Sequence, residues 1–276
     1  GVTPAQPFWQ QKALIALEWM VGRVTTHWIA VSQADRRQGI EWGLFTASKV
    51  SVVRPGIDPT AFAARIESTE RDRLRAMLGV GPDQLLVGTV SCLKPQKSPE
   101  DFIRVAALVC QRVPAARCVL VGDGVLRPNI EALLLAQGLQ DRVTLLGWRR
   151  DVAALLKTFD VFVLTSQWEG LPCAILEARA SRIPIVATRV GGAAEAIVEG
   201  IQGTLCPAGD VRAMAERVCQ ILEDERFRVD LRTGTQELPE EFTIQETLKQ
   251  YQSLYAYLLH ATRPSEDVMK LQPNRL

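Results

Sequence analysis

Histidine is scarce in this 276-residue chain: His27 and His260 are the only two. With so few, and with no Cys or carboxylate cluster at ligand spacing, the sequence offers no protein-bound metal. The six cysteines, Cys92, Cys110, Cys118, Cys173, Cys206 and Cys219, include no CxxC pair. Most sit in apolar runs, so they read as buried thiols of a reducing compartment and not as a disulfide framework. An excess of one charge is also lacking, because 32 Lys+Arg against 31 Asp+Glu leave a formal +1. No overall field draws in nucleic acid or an anionic membrane, so any phosphate site must be local. The longest apolar stretch near the start, ALIALEWMVGRV, is broken by Glu18 and Arg23. It is too short and too charged to span a bilayer and has no basic n-region, so a soluble, cytoplasmic protein is expected. Repeats and low-complexity segments are missing as well.

What is present is an ordinary globular composition, 47% hydrophobic and 23% charged. From residue 85 onward, short β-rich apolar runs (LLVGTVSCL, RCVLVGDG, RVTLLGW, DVFVLTS, IPIVATRV, GTLCP) alternate with helical segments near 99–112, 127–138, 149–158, 172–181, 191–199 and 209–224. Alternation of this kind marks βα units. Strands that are continuously apolar are covered on both faces, which predicts an α/β, doubly wound parallel sheet in three layers. Before it come an amphipathic helix at 9–24, a short strand in HWIAVS and another in KVSVVRPGID, and the domain proper is taken to begin near residue 32. After it, 242–260 reads as a helix with an apolar stripe of Phe242, Leu248, Tyr251, Leu254 and Tyr255 that must be buried against something. The tail 262–276, with Pro264 and Pro273, reads as disordered.

In an open parallel sheet, ligands bind beyond the carboxyl ends of the strands, so residues that follow strands are the first candidates. In DVFVLTSQWEGLPCAILEARA a strand ends at Ser166, and a loop with Glu169 and Gly170 leads to a helix with Pro172 at its first position. The N–H groups of Cys173 and Ala174 and the helix dipole suit a diphosphate. Glu177, farther along that helix, is placed to accept hydrogen bonds from both hydroxyls of a ribose. The plainer alternative is one capping and one solvated glutamate. Gly122 and Gly124 follow a strand as a nucleotide loop would, but the third glycine of GxGxxG is absent, and a tight turn explains them equally. Gly191 and Gly192 permit close approach of a ligand, while Glu195 either serves that site or caps its own helix. Lys94 and Lys97 are placed to meet phosphate oxygens, or are ordinary surface lysines.

Taken in order, VSQADRRQGIEWG, VVRPGIDPTAF, LKPQK, VLVGDGVLRPNIEALL, VTLLGW, FDVFVLTSQWEGLPCAILEARA, IPIVATRVGGAAEAI and the closing LYAYL resemble glycosyltransferase family 4, retaining enzymes of GT-B architecture. The resemblance covers roughly residues 30–260. It implies a Rossmann-like C-terminal domain at 32–241, which binds a nucleoside-diphosphate sugar as donor substrate, with no cofactor and no metal. Glu169 would face the donor sugar as the catalytic acid of the E-x7-E motif and Glu177 would hold the ribose. Gly170, Leu171, Pro172 and Cys173 would line the diphosphate, Lys97 would bind donor phosphate, and the backbone at Gly147 and Trp148 would receive the base.

The sequence departs from the family at Cys92, where an arginine is usual and for which Lys94 is the nearest substitute, and at Arg182, where glycine is common. Residues 1–31 resemble the end of an N-terminal acceptor domain and 242–261 the helix that crosses back to it. The resemblance therefore implies an excised piece or a truncated gene product, whose missing domain would be the partner and the route to any peripheral contact at the inner face of the membrane. His27 reads as a packing or surface residue. The main expectation is the donor half of a sugar transferase acting with retention, inactive by itself. The alternative is a non-catalytic nucleotide-sugar-binding module. A GT-B-like epimerase and an NAD enzyme fit less well. Base, sugar, acceptor and oligomeric state are left open.

Overall fold

The computed structural model describes residues 6–234 and 238–262. The chain enters through α1 (Phe8–Val24), then forms β1 (Trp28–Ala30), α2 (Gln33–Glu41) and β2 (Val50–Val52). β1 and β2 pair in parallel, Trp28 opposite Val50, as a separate two-stranded sheet with α2 as the crossover. The Ser32 hydroxyl caps α2 by accepting from the Asp35 amide at 3.0 Å. A division at residues 31 and 32 therefore passes through a paired unit, with β1 on one side and its partner strand on the other. His27 bonds Ser51 Oγ at 2.9 Å beside this pair, a packing role.

Two short helices, α3 (Thr60–Ala63) and α4 (Ser68–Met77), lead into the main sheet. There β3 (Leu85–Val90), β4 (Ala116–Val121), β5 (Val143–Gly147), β6 (Val161–Leu164), β7 (Ile185–Thr188) and β8 (Gly203–Cys206) are all parallel. Their spatial order is β5-β4-β3-β6-β7-β8, so the doubly wound sheet expected from the apolar runs is the one observed. Neighbouring residues of a strand point to opposite faces and into different cores. On one face Val87, Cys118, Leu120, Val161 and Val163 pack with α5 (Pro99–Arg112), α6 (Arg127–Ala136) and α10 (Val211–Glu223). On the other, Leu86, Val119, Phe162, Leu164 and Ile185 pack with α7 (Val152–Leu156), α8 (Cys173–Ala180) and α9 (Ala193–Ala196). Two helices follow, α11 (Glu225–Gly234) and α12 (Ile244–Thr262).

Helix α5 shows why the large elements form where the sequence predicts them. Pro99 opens it, Glu100 and Asp101 complement its dipole, and Phe102, Ile103, Val105, Ala106 and Val109 form its buried face. The expected helix at 191–199 shrinks to four residues because Ile197 is already extended, at φ −125°. The segment 149–158 likewise forms only the five residues of α7. The stripe expected on the last helix divides: Phe242 and Leu254 are buried, while Leu248 and Tyr255 are exposed. α1 buries no residue at all, and Phe8, Trp9, Leu17 and Met20 lie open. The tail assigned from 262 falls, from residue 263, outside the described residues. Among the described residues no helix is long and apolar enough to cross a membrane.

Candidate functional site

β3 and β6 are adjacent although two strands, β4 and β5, separate them in sequence, which makes the space beyond their carboxyl ends the switch point of the sheet. The two loops that leave them are joined by hydrogen bonds. Thr165 Oγ1 donates to the carbonyls of Lys97 (3.0 Å) and Ser98 (2.9 Å), and the Gln167 amide donates to the Gln96 carbonyl (2.8 Å). This stitching brings Lys97 and Glu169 together, 72 residues apart in sequence, as an ion pair between Lys97 Nζ and Glu169 Oε1. Ser166 Oγ donates to the same oxygen at 2.6 Å, and Gln96 Nε2 donates to the Trp168 carbonyl at 2.9 Å. The Glu169 side chain is only 6% exposed, so Lys97 and Ser166 take the place of water at its carboxylate. Ser166 and Gln96 are neighbours of Glu169 that the sequence marked only by their position beside a strand end and beside Lys97.

Pro172 occupies the N-cap of α8 and not its first helical turn, with φ −77° and ψ 108°. The cap is a proline, so it supplies no side-chain acceptor, and no group among the described residues accepts from the amides of Cys173 and Ala174. Such a helix terminus holds two oriented donors and a positive dipole end. Leu171 and Pro172 are buried, and Cys173 is half-buried with its thiol pushed up, first by burial and then by the Glu177 charge. Glu177 is half-buried too, and no described side chain bonds its carboxylate. Burial raises its pKa above the ordinary carboxylate value.

Three glycines keep this corner tight. A Cβ on Gly170 would lie 2.6 Å from Val31 Cγ2, and one on Gly191, at φ +47°, would lie 1.7 Å from the Glu169 carbonyl oxygen. The Gly192 amide donates to the Gly170 carbonyl at 2.6 Å. The glycine pair thus holds the Glu169 loop in place. Glu195, which follows them, does not cap its own helix. It caps α2 instead, accepting from the amides of Gln33 (3.1 Å) and Ala34 (2.9 Å), and it also pairs with Arg54 at 2.9 Å. A contact across 161 residues leaves no mark in local sequence. Between α2 and the Glu169 loop lies a cleft of about 730 Å³ whose lining includes Gln11, Asp35, Gln38, Trp42, Trp168 and Glu169. Burial raises the Asp35 carboxyl there, against the Ser32 hydrogen bond.

Farther along the same edge, β5 ends at Gly147 with φ +67°, whose carbonyl accepts from the Gly122 amide at 2.9 Å. Trp148 is 71% exposed beside it. Asp123 and Arg127, paired at 3.0 Å, border Gly147 and were not singled out by the sequence. Gly122 is required here as a tight turn, since a Cβ would meet the Ser91 carbonyl at 2.1 Å. Lys94 and Cys92 are half-buried, and Lys94 Nζ makes no ion pair with a described residue.

Comparison with known proteins agrees with the parallel-sheet fold. The chain is similar, at 28% identity over 242 residues, to the Escherichia coli UDP-Gal:alpha-D-GlcNAc-diphosphoundecaprenol alpha-1,3-galactosyltransferase, covering 87% of this chain and 62% of that protein. It is 31% identical to the Bacillus anthracis N-acetyl-alpha-D-glucosaminyl L-malate synthase over 66% of this chain and 48% of that protein. The chain thus spans about half to three-fifths of the length of these relatives. Among solved GT-B structures it matches Anabaena HepE in complex with UDP and glucose, with a TM-score of 0.77 and 26% identity over 89% of this chain and 66% of that one. Sucrose-phosphate synthase from Thermosynechococcus elongatus shares the fold, with a TM-score of 0.78 at 24% identity over 94% of this chain and 65% of that one. The model of the family described as glycosyl transferases group 1 matches residues 70–238, which include β3 to β8 and every strand-end loop described above, and the chain belongs to that family.

Proposed function

We propose that this chain binds the nucleoside-diphosphate sugar of a glycosyl transfer that proceeds with retention of configuration. The observation that carries the reading is Glu177, a half-buried carboxylate with no bonding partner on the same helix whose amides at Cys173 and Ala174 lack acceptors. A ribose supplies two hydroxyl donors to the carboxylate, and a diphosphate supplies acceptors to the amides. The donor's phosphate oxygens would draw Lys97 away from Glu169, leaving Glu169 to face the sugar. As the bond from the anomeric carbon to the diphosphate oxygen breaks, the negative charge gathering on the leaving group is met by Lys97 and the α8 terminus. The exposed face around Gly147 and Trp148 is left to the base, and Lys94 to an outer phosphate oxygen. No cofactor enters this scheme, because the donor itself is consumed. The HepE complexes with UDP and UDP-glucose support the donor class. A cytoplasmic location belongs to the same reading, since sugar nucleotides are made there.

Calorimetric titration of UDP, GDP and ADP into the chain and into Glu177→Ala tests the proposal. A hydrogen bond to a charged group contributes about 1.5–3 kcal/mol, so the variant is expected to bind at least about tenfold more weakly. Equal affinities would reject the ribose role.

A further inference from the structure

At the opposite edge of the main sheet, where β6 and β7 begin, a pocket of about 430 Å³ has Arg65, Arg71, Lys157, Ser181, Arg182 and Arg232 in its lining. Five of these six are cations. The acid bonded to them is the buried Asp160, and its single charge is already divided among Arg71 (3.5 Å), Arg75 (3.1 Å) and Arg232 (3.3 Å), while it also accepts from the Leu86 amide at 2.8 Å. Arg65 and Arg182 are exposed and form no ion pair with a described residue, and Lys157 Nζ donates only to the Ala61 carbonyl at 2.8 Å. Burial depresses the pKa of Lys157, with no carboxylate opposing it. Burial likewise depresses that of Arg232, where the charges of Arg71, Arg228 and Arg75 oppose the single favourable contribution of Asp160. Two polar atoms of the lining, Ser181 Oγ and Arg232 Nε, are buried without a hydrogen-bond partner.

Gathering like charges around a half-enclosed space costs free energy that these residues do not recover from one another. Orphaned polar atoms in the same wall add to the cost. A cluster of cations so weakly compensated is arranged for an anion that is not part of the chain. The guanidinium forks suit oxygens of tetrahedral anions, and the volume lies in the range of small-ligand sites. One carboxylate-sized charge would leave most of these cations uncompensated. We propose that this pocket binds a multiply charged phosphate-bearing anion, at a site separate from the strand-end site because every strand of a parallel sheet directs its carboxyl end to the other edge.

The probe is inorganic tripolyphosphate, titrated by calorimetry into the full chain at low salt. Binding is expected to weaken at least about tenfold in Arg65→Gln/Arg182→Gly and in Arg232→Gln. The first variant should fold as the parent does, because Arg65 is exposed and Arg182 sits at φ +57°, which glycine accepts more readily. Lys97→Ala, altered at the opposite edge, is expected to retain tripolyphosphate affinity at this pocket. A second arm separates the sources of phosphate. Sedimentation with phosphatidylglycerol vesicles that the same variants abolish identifies a lipid headgroup, whereas tripolyphosphate binding without sedimentation identifies a free anion. The proposal is overturned if neither probe binds, if the pocket variants bind as the parent does, or if Lys97→Ala alone removes binding.

Discussion

Glu177 illustrates, at the scale of one residue, how a carboxylate is held half-buried at a cost that the proposed ribose contact would offset. Its carboxyl is raised by burial and has no donor to compensate. An acid whose pKa is higher in the folded chain than in the unfolded one subtracts from stability when ionised. The penalty is absent below the unfolded value and fully present above the folded one. Glu177→Gln is therefore expected to unfold at a higher temperature than the parent at about pH 8 and at the same temperature at about pH 4, while binding nucleotide more weakly. Thermal scans at the two pH values check this, and a gain that does not change with pH would sink the burial account. In the parent chain, nucleotide affinity should fall as acid protonates Glu177, with a midpoint above that of an ordinary glutamate. Lys97 and Glu169 differ from it, since each satisfies the other.

The elements show which parts of a fold local sequence can announce. β4, β6 and β7 are legible because burial on both faces demands unbroken apolar runs, and α5 because one face alone is apolar. α2 was not legible: QADRRQGIE carries little that is apolar, and its start is fixed by Ser32 and by a glutamate far along the chain. The glycines between elements yield a sharper test. Gly191→Ala forces a Cβ into the Glu169 carbonyl, so it is expected to destabilise by about 1–3 kcal/mol and to weaken nucleotide binding by moving the Glu169 loop. Gly209→Ala has a similar positive φ, +77°, but meets nothing within 4 Å. It should cost about 1 kcal/mol from backbone strain and leave nucleotide affinity intact. Denaturant midpoints and calorimetry on the pair distinguish steric displacement of the site from general strain.

Over the whole molecule, the small β1–α2–β2 unit is fastened to the rest of the chain by contacts between residues distant in sequence. Glu195 caps α2 and holds Arg54, and Thr247 Oγ1 of α12 donates to the Arg54 carbonyl at 2.9 Å. Gly56 passes so close to Thr243 that a Cβ would lie 2.2 Å from its carbonyl. Glu195→Ala should therefore lower stability by about 2 kcal/mol and speed hydrogen exchange at the Gln33 and Ala34 amides more than in β3 or β4. Uniform acceleration across the main sheet would argue instead that the two parts unfold as one unit.

The sequence by itself determined the layered sheet, because burial on two faces leaves a local signature in the central strands, and it determined that Glu169 and Lys97 stand beyond strand ends and Glu177 on the helix that follows. Only the tertiary structure decided that Lys97 pairs with Glu169, that Glu195 serves a helix of another unit, and that five cations share one weakly compensated pocket. Most of these contacts join residues that are far apart in the chain. Local patterning records which side of an element is buried, but not what the other elements bring against it.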